Sequence, residues 1–261
     1  MNNITKITPN IFRLTVPYKD IYTTVLIIRT AKGTALFDTA TYETDVINHI
    51  IPALNTLQVQ DLKYIVLSHD HGDHSGGLDY LVPHFPDATI VSASDKILEK
   101  YKDQVISPAD KEIILDILQI HRIPGHTPDA IGLLDTRTNT MLTGDSLQLY
   151  GLYGSGKWGA NICLISEHLQ ALEKLSSLQI DRIVASHDYH PCGYISQGEH
   201  AVATYISTCK EALLGIKAFI INHPDMDDDR LERLYVAETG LPLVGNHVFS
   251  AVRSAINDGK I

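Results

Sequence analysis

Apolar and polar positions along this chain change their periodicity several times. Near the N-terminus, period-two alternation and runs of β-branched residues predict strands. These segments are 10–16, 23–30 and 34–40. The stretch 41–54 instead has helical spacing, and one face of the predicted helix is apolar. The apolar residues of that face are Val46, Ile47, Ile50 and Leu54.

Strands and helices are predicted to alternate up to about residue 187. Short apolar and β-branched runs predict further strands at 63–68, 88–93, 112–123, 130–145 and 181–187, and the segment 130–145 has a predicted turn at 137–139. Amphipathic stretches predict helices at 75–85, 94–102 and 165–178, and Ser94 is a candidate N-cap. This alternation is typical of an α/β fold.

The chain changes character near Ser196. From there the pattern predicts three helices, at 199–220, 227–238 and 246–256, with a polar break at 222–229. We therefore predict an α/β domain at 1–195 and a helical C-terminal extension at 196–261 that packs on it. We expect the extension to cover the mouth of a site on that domain or to form a subunit contact, and, because it has no cluster of ligand-type side chains, to bind no metal.

Composition and charge narrow the classes of function. The chain has 261 residues, of which 44% are hydrophobic and 20% charged, and its formal net charge is -10. No Lys/Arg run offsets this charge, so nucleic acid is not an expected partner. No apolar run is long enough to span a bilayer, and the N-terminus lacks the features of a signal peptide.

The cysteines indicate the redox compartment of the protein. The three cysteines are widely spaced and form no C-x-x-C pair, which favours free thiols in a reducing compartment. We therefore expect a cytoplasmic protein with a small-molecule substrate and no membrane partner, with a homodimer as one option for its assembly.

One short segment, SHDHGDHSGG at 68–77, concentrates side chains that bind metals. His69, His71, Asp73 and His74 form the pattern H-x-H-x-D-H, and imidazole and carboxylate are ligands that zinc accepts. In an extended segment, alternate residues point the same way, so His69 and His71 can reach one metal together. The turn that follows directs Asp73 and His74 to a different position.

Three more candidate ligands follow apolar runs or stiff turns later in the chain. His126 lies in PGHTPD, Asp145 in LTGDS and His187 in VASHD. Seven ligands suit two metals that share a carboxylate bridge. Five other histidines are interpreted as structural residues: His121, His168, His190, His200 and His223.

The motifs SHDHGDHSGG, PGHTPD, TGDS and ASHD, in this order, resemble those of the metallo-β-lactamase superfamily, and ALFDTA resembles its upstream aspartate segment. The resemblance implies an αββα sandwich of two mixed sheets with outer helices, here with a helical C-terminal tail. It also implies that His69, His71 and His126 hold one metal and that Asp73, His74 and His187 hold the other. Asp145 would bridge the metals, and Asp38 would orient the site without binding metal.

The chemistry implied by the resemblance is hydrolysis of a carbonyl ester, thioester, lactone or amide by a metal-activated hydroxide, with Asp73 handling a proton. Two Zn²⁺ are expected, and iron or manganese are alternatives. The segment after Asp145 follows the plan of the glyoxalase II-like branch. An iron oxidoreductase of the same fold and a non-catalytic metal-binding regulator stay open as alternatives.

The segment 147–161 is predicted to determine substrate choice. It contains Tyr150, Tyr153 and Trp158 between glycines, and it begins directly after the predicted bridging aspartate. Aromatic side chains provide a large contact area with few rotatable bonds. We therefore predict that these three residues line the substrate pocket.

Overall fold

The computed structural model describes residues 4–153, 156–241 and 246–261, and at 150–153, 156–158 and 246 it describes the main chain alone. Its contacts divide the chain into two compact units. The first unit is Met1–Arg122 with Asp129–Gly144, and the second is Ile123–Pro128 with Asp145–Ile261. The domain boundary predicted near Ser196 stays a prediction.

The first unit contains most of the strands. They are β1 (Ile4–Lys6), β2 (Ile11–Tyr18), β3 (Ile21–Thr30), β4 (Gly33–Phe37), β5 (Leu62–Val66), β6 (Thr89–Val91), β7 (Val105–Ile106), β8 (Ile113–Ile114), β9 (Leu118–Arg122), β10 (Ile131–Asp135) and β11 (Thr140–Leu142). Its helices are α1 (Glu43–Asp45), a π-helical turn (Val46–Ile50), α2 (Ile51–Thr56), α3 (Gly72–Ser75), α4 (Leu78–Leu81), a 3-10 turn (Val82–His84) and α5 (Asp95–Lys100).

The second unit has short strands and the long helices. The strands are β12 (Tyr150–Tyr153), β13 (Gly156–Trp158), β14 (Arg182–Val184), β15 (Tyr189–His190) and β16 (Ile195–Gln197). The helices are α6 (Ile165–Ser176), α7 (Glu199–Asn222), α8 (Asp228–Thr239) and α9 (Asn246–Asn257). The three helices predicted after Ser196 are therefore confirmed.

A seven-stranded mixed sheet forms the centre of the first unit. Strands β1 to β7 lie in chain order, antiparallel from β1 to β4 and parallel from β4 to β7. Parallel neighbours need a crossover, and the helices between β4 and β7 provide it. The hydrophobic core under this sheet includes Val25, Ile27, Leu36 and Ile65, each completely buried. Asp38 and Ser68 therefore follow the carboxyl ends of two strands, β4 and β5, that are packed on a buried core.

Strands β8 to β11 of the first unit pair in antiparallel order. The sequence predicts one strand over 112–123, but the chain turns between β8 and β9. Leu115 and Asp116 have left-handed backbone angles there, with φ of 52° and 67°. The apolar residues on both sides of this tight turn conceal it in the sequence.

The predicted helix 41–54 is interrupted by the π-helical turn at Val46–Ile50. Val46, Ile50 and Leu54 are buried as predicted, whereas Ile47 is 52% exposed and its predicted place on the apolar face is wrong. The buried residues are spaced four apart through the wider turn, so Ile47 faces outward. Ser94 precedes α5 as expected, but its hydroxyl donates to Asp70 Oδ2 at 2.8 Å and does not cap the helix.

A second apolar cluster holds the helices of the second unit together. Ile165 of α6 packs with Leu213 and Ile216 of α7, Leu231 of α8 and Phe249 of α9. The Tyr205 hydroxyl of α7 also donates to the carbonyl oxygen of Leu147 at 2.9 Å. Ala160 belongs to the same cluster, so the C-terminal helices contact the segment that follows Asp145 near both of its ends, at Leu147 and at Ala160. Among the helices that the structure describes, none has the length and apolar character needed to cross a membrane.

The packing of α9 gives a test of the second apolar cluster. Phe249 is completely buried in it. Phe249→Ala should lower the free energy of unfolding by about 3–5 kcal/mol, because it deletes a large buried side chain and leaves a cavity. Denaturant titration measures this change. Leu214→Ala, at a position 40% exposed on α7, is the control and should cost less than about 1 kcal/mol; equal losses would contradict the packing.

Candidate metal centre

The first two predicted ligands of the H-x-H-x-D-H motif lie between β5 and α3 of the first unit. The chain bends at Ser68, Asp70 and His71 after β5, and His71 itself has extended backbone angles, φ of −63° and ψ of 150°, directly before the short helix α3. His69 is buried and His71 exposed, and their ring centroids are 4.6 Å apart. Each offers a ring nitrogen, and these two nitrogens lie within 4.8 Å of each other. The predicted sharing of one metal by His69 and His71 fits this geometry and stays a prediction.

Asp73 and His74 follow on the first turn of α3. The helix rotates them away from the extended segment, and Asp73 Oδ2 lies 3.5 Å from His74 Nε2. The main chain of this turn is held from outside: Thr39 donates to the carbonyl oxygen of His74 through its amide (2.7 Å) and its hydroxyl (3.0 Å). A second ligand pair thus lies beside the first.

Asp38 is a buried acceptor that organises this part of the chain. Its carboxylate accepts hydrogen bonds from the Ser68 main-chain N–H (2.7 Å), the Ser68 hydroxyl (2.9 Å) and His74 Nδ1 (2.8 Å). Complete burial raises the pKa of Asp38, while the His74 imidazole and the hydrogen bonds from Ser68 act in the opposite direction. The predicted role of Asp38, orientation of a ligand histidine, fits this geometry.

The Ser68 hydroxyl links Asp38 to a second histidine, His69, by hydrogen bonds. Its single hydroxyl proton is donated to Asp38, so its oxygen is left to accept from His69 Nδ1 at 3.0 Å. Both His69 and His74 then carry their proton on Nδ1, which leaves Nε2 as the atom that can bind a metal. The sequence interpretation assigns no role to Ser68, although it directly precedes the first histidine.

The glycines that close the motif are required by a close approach of two main chains. A Cβ at Gly77 would lie 2.1 Å from the Thr39 carbonyl oxygen, and one at Gly76 would lie 2.4 Å from that of Thr41. The opposing segment is itself strained, because Asp38 and Ala40 have φ of 67° and 57°. Only glycine lets the end of α3 dock on the segment that presents Asp38.

In the second unit, the carboxylate of Asp145 lies between two histidines. Its Oδ2 is 3.9 Å from His126 Nε2, and its Oδ1 is 3.6 Å from His187 Nε2. All three residues are buried. One carboxylate oxygen therefore faces each histidine, the arrangement that a bridging carboxylate requires.

His126 is fixed from two sides. Its Nδ1 donates to the main-chain carbonyl oxygen of Asn161 at 2.6 Å, which leaves Nε2 on the side of Asp145. Gly125, with φ of 156°, packs so closely on His168 that a Cβ there would lie 2.4 Å from His168 Nδ1. Burial and the neighbouring His126 lower the pKa of His168 to about 4, so this histidine is neutral at pH 7 and fits its predicted structural role.

Two further residues that the sequence interpretation missed hold this group together. The Gln148 side chain donates to Asp145 Oδ2 at 3.1 Å, and its carbonyl oxygen accepts from the main-chain N–H of Asn161 at 2.8 Å. Gln148 lies three residues after Asp145 in GDSLQ, a spacing that could have drawn attention to it. Asn161 carries no comparable signal, because it acts on His126 through its main chain.

The predicted substrate residues Tyr150, Tyr153 and Trp158 have side chains outside the described residues, so their predicted role stays a prediction. The main chain of this segment is not the flexible loop that its glycines suggest. Its strands β12 and β13 pair antiparallel, and β12 also pairs with β15. This difference arises because the aromatic residues suit strands and the glycines conceal the pattern.

The donor chemistry of these residues fits a metal of the zinc type. Three of the histidines, His69, His74 and His126, have Nδ1 engaged by an oxygen of the protein and Nε2 turned to the ligand side. Across the described residues, neither His223 nor His247 belongs to a group of His, Cys, Asp or Glu side chains that could hold a metal. The assignment of each candidate ligand to the first or the second metal stays a prediction.

Comparison with known proteins agrees with this donor set. Residues 18–187 match the family model described as the metallo-beta-lactamase superfamily. This chain belongs to that superfamily. The resemblance seen in the sequence motifs is confirmed, and its candidate metal-binding residues lie within or directly at the limits of the matched segment.

Structural neighbours in the superfamily share the fold. A metallo-beta-lactamase family protein from Thermus thermophilus aligns with a TM-score of 0.65 and 18% identity, over 97% of this chain and 95% of the other. The metallo-beta-lactamase FIM-1 from Pseudomonas aeruginosa, solved in a mono-zinc form, aligns at 0.59 and 18%, over 80% and 95%. The predicted fold, two mixed β-sheets with helices and a helical C-terminal region, is therefore confirmed.

Sequence relatives are similar over shorter stretches. YobT of Bacillus subtilis (strain 168) is 35% identical over 135 residues, which are 42% of this chain and 57% of YobT. A hydroxyacylglutathione hydrolase of Francisella philomiragia is 28% identical over 136 residues, 52% of each chain. This chain thus spans little more than half the length of these two relatives.

The tight packing around His126 gives a test of how this ligand is held. Gly125→Ala should lower the free energy of unfolding by about 3 kcal/mol, because the new methyl group collides with His168. Gly193→Ala is the control: its φ is also positive, at 72°, but the nearest atom to its Cβ is Asp188 Oδ1 at 3.6 Å. The control should lose about 1 kcal/mol from backbone strain alone. Equal losses in denaturant titration would contradict the collision.

Proposed function

We propose that this member of the superfamily is a binuclear zinc-dependent hydrolase that cleaves a carbonyl ester, thioester, lactone or amide. The observation that carries the proposal is the position of Asp145, whose two oxygens face His126 and His187 separately. A carboxylate that touched a single metal would need only one of these neighbours. Membership of the superfamily and the complete set of seven candidate ligands support the same interpretation.

The proposed ligand assignment follows the resemblance. Asp145 is the proposed bridge, and Asp38 orients His74 without binding metal. The proposed ligands of the first metal are His69, His71 and His126. Those of the second are Asp73, His74 and His187.

The residues of the chain have distinct tasks in the proposed reaction. Bound zinc would supply positive charge that polarises a carbonyl group and lowers the pKa of water. Asp38 and Ser68 keep the proton of His74 and His69 on Nδ1, so that both rings present Nε2. Asp73, whose side chain is 13% exposed, has a carboxylate oxygen that solvent can reach, and we assign to it the uptake of a proton during turnover.

The substrate class is proposed from the relatives and from the second unit. The Francisella relative is a hydroxyacylglutathione hydrolase, so thioesters are the first compounds to test. Tyr150, Tyr153 and Trp158 are the proposed walls of the pocket. The C-terminal helices are proposed to cover the mouth of this pocket or to form a subunit contact. The hydrogen bond from Tyr205 of α7 to Leu147, at the start of the segment 147–161, supports the first of these roles.

The proposal sets an expected metal content. Protein purified without chelators and then incubated with zinc should contain two equivalents by elemental analysis. Hydrolysis of one or more members of a panel of thioesters, lactones, amides and esters should disappear on chelation and return with zinc. Saturation at one equivalent would contradict the binuclear site, and retention of iron with a strong visible spectrum would favour the oxidoreductase alternative.

Asp145 provides the most direct test of the bridge. Asp145→Asn keeps the shape of the side chain but removes the charge that would offset two cations, so at least one zinc equivalent should be lost and turnover should fall by about 10²-fold or more. Asp135→Asn is the control, because Asp135 is also a buried carboxylate but pairs with Arg137 at 3.1 Å. The control should keep both metals; full metal content and activity in Asp145→Asn would contradict the bridge.

A further inference from the structure

Asn161 makes three strong polar contacts that lead in three directions within the second unit, besides a weaker one in which Cys163 Sγ donates to its side-chain oxygen at 3.7 Å. Its main-chain carbonyl oxygen accepts from His126 Nδ1 at 2.6 Å. Its main-chain N–H donates to Gln148 Oε1 at 2.8 Å. Its side-chain oxygen accepts from His247 Nε2 of α9 at 2.5 Å. One residue near the end of the segment that follows Asp145 is thus held by both its main chain and its side chain.

The main-chain contacts of Asn161 reach two proposed metal ligands. The carbonyl oxygen fixes the ring of His126 directly. The N–H acts through Gln148, whose amide nitrogen lies 3.1 Å from Asp145 Oδ2. A rotation of the peptide planes at Asn161 would disturb both contacts together, because the N–H and C=O groups belong to adjoining planes of the same residue. The orientation of Asn161 therefore determines how His126 and Asp145 are presented.

The side-chain contact of Asn161 reaches a firmly packed helix. His247 is exposed on α9, but the next two residues, Val248 and Phe249, are completely buried in the cluster that joins α6 to α9. Arg253 of the same helix binds Asp228 Oδ1 of α8 at 2.9 Å and the carbonyl oxygen of Met226 at 2.7 Å. His247 is therefore an anchor on a fixed element.

We infer that Asn161 is a positioning residue through which His247 of the C-terminal helix α9 sets the orientation of His126 and Asp145. The inference rests on the proposed function, because it takes these two residues as metal ligands. It gives the C-terminal helices a task besides packing: they hold the metal ligands in register without contributing a ligand of their own. Removal of the anchor leaves every ligand present but less well ordered.

The experiment compares metal binding by His247→Ala and Asn161→Ala with the wild type. Asn161→Ala keeps both main-chain contacts and removes the side-chain contact with His247 together with the weaker one from Cys163 Sγ at 3.7 Å. Both variants therefore delete the contact between Asn161 and His247. Each should bind Zn²⁺ about tenfold more weakly in competition with a chromophoric chelator, at the lower end of the cost of losing an outer contact of a metal ligand. The double variant should be no weaker than either single variant, because both remove one shared contact.

Two further variants separate positioning from a general loss of structure. His247→Gln retains an N–H donor and should restore most of the zinc affinity. His200→Ala removes another exposed histidine of the C-terminal helices, on α7, and should leave the affinity unchanged. The visible absorption of the Co²⁺-substituted protein gives a second readout, since a reoriented His126 changes the intensity of the cobalt bands and a distant surface change does not.

The outcomes distinguish the inference from the proposed function. Wild-type affinity and an unchanged cobalt spectrum in both alanine variants would overturn the inference and leave the proposed function standing. A wild-type protein that binds neither Zn²⁺ nor Co²⁺ would overturn both. Additive losses in the double variant would also overturn the inference, because His247 and Asn161 would then act separately.

Discussion

A buried carboxylate must find donors, and the way Asp38 does so shapes the metal-binding motif. It lies at the end of β4 with left-handed backbone angles and accepts three hydrogen bonds from Ser68 and His74. Each of these donors comes from the segment that carries the first four predicted ligands. The cost of burying the charge is offset only while those donors stay in place. The same hydrogen bonds therefore stabilise the end of β4 and fix the geometry of the candidate ligands.

In the second unit, neutral groups orient the candidate ligands His126 and Asp145. His126 is oriented by a main-chain carbonyl oxygen, and Asp145 is oriented by the amide of Gln148. Neutral dipoles perform here the task that the charge of Asp38 performs in the first unit.

Much of the fold and most candidate ligands could be predicted because they leave periodic or compositional signals. Strands such as β3 and the helices after Ser196 repeat apolar residues at the spacing of their structure, and the histidine motif is dense and ordered. The turn between β8 and β9 and the outward position of Ile47 could not be predicted. Both depend on local backbone angles, and the surrounding apolar residues suggest a regular strand or helix.

Two residues that support the candidate ligands could not be predicted from the sequence, because their role also depends on the folded main chain. Ser68 and Gln148 are common polar residues whose role depends on where the chain folds, and His69 or Asp145 alone does not indicate which neighbour will support it. The aromatic residues of 147–161 remain predicted wall residues. Their strand pairing was hidden because glycine and aromatic residues alternate there, a pattern equally compatible with a loop.

The contact between Asn161 and His126 has a consequence for comparing related sequences. Every residue type has a carbonyl oxygen, so any amino acid at this position can preserve the contact as long as the local main chain keeps its path. The contact with His126 alone therefore leaves the identity of the residue open, and the constraint on residue 161 comes from its side-chain contact with His247. In relatives that lack such a side-chain partner, superposed backbones would show a shared orientation of this histidine that aligned side chains miss.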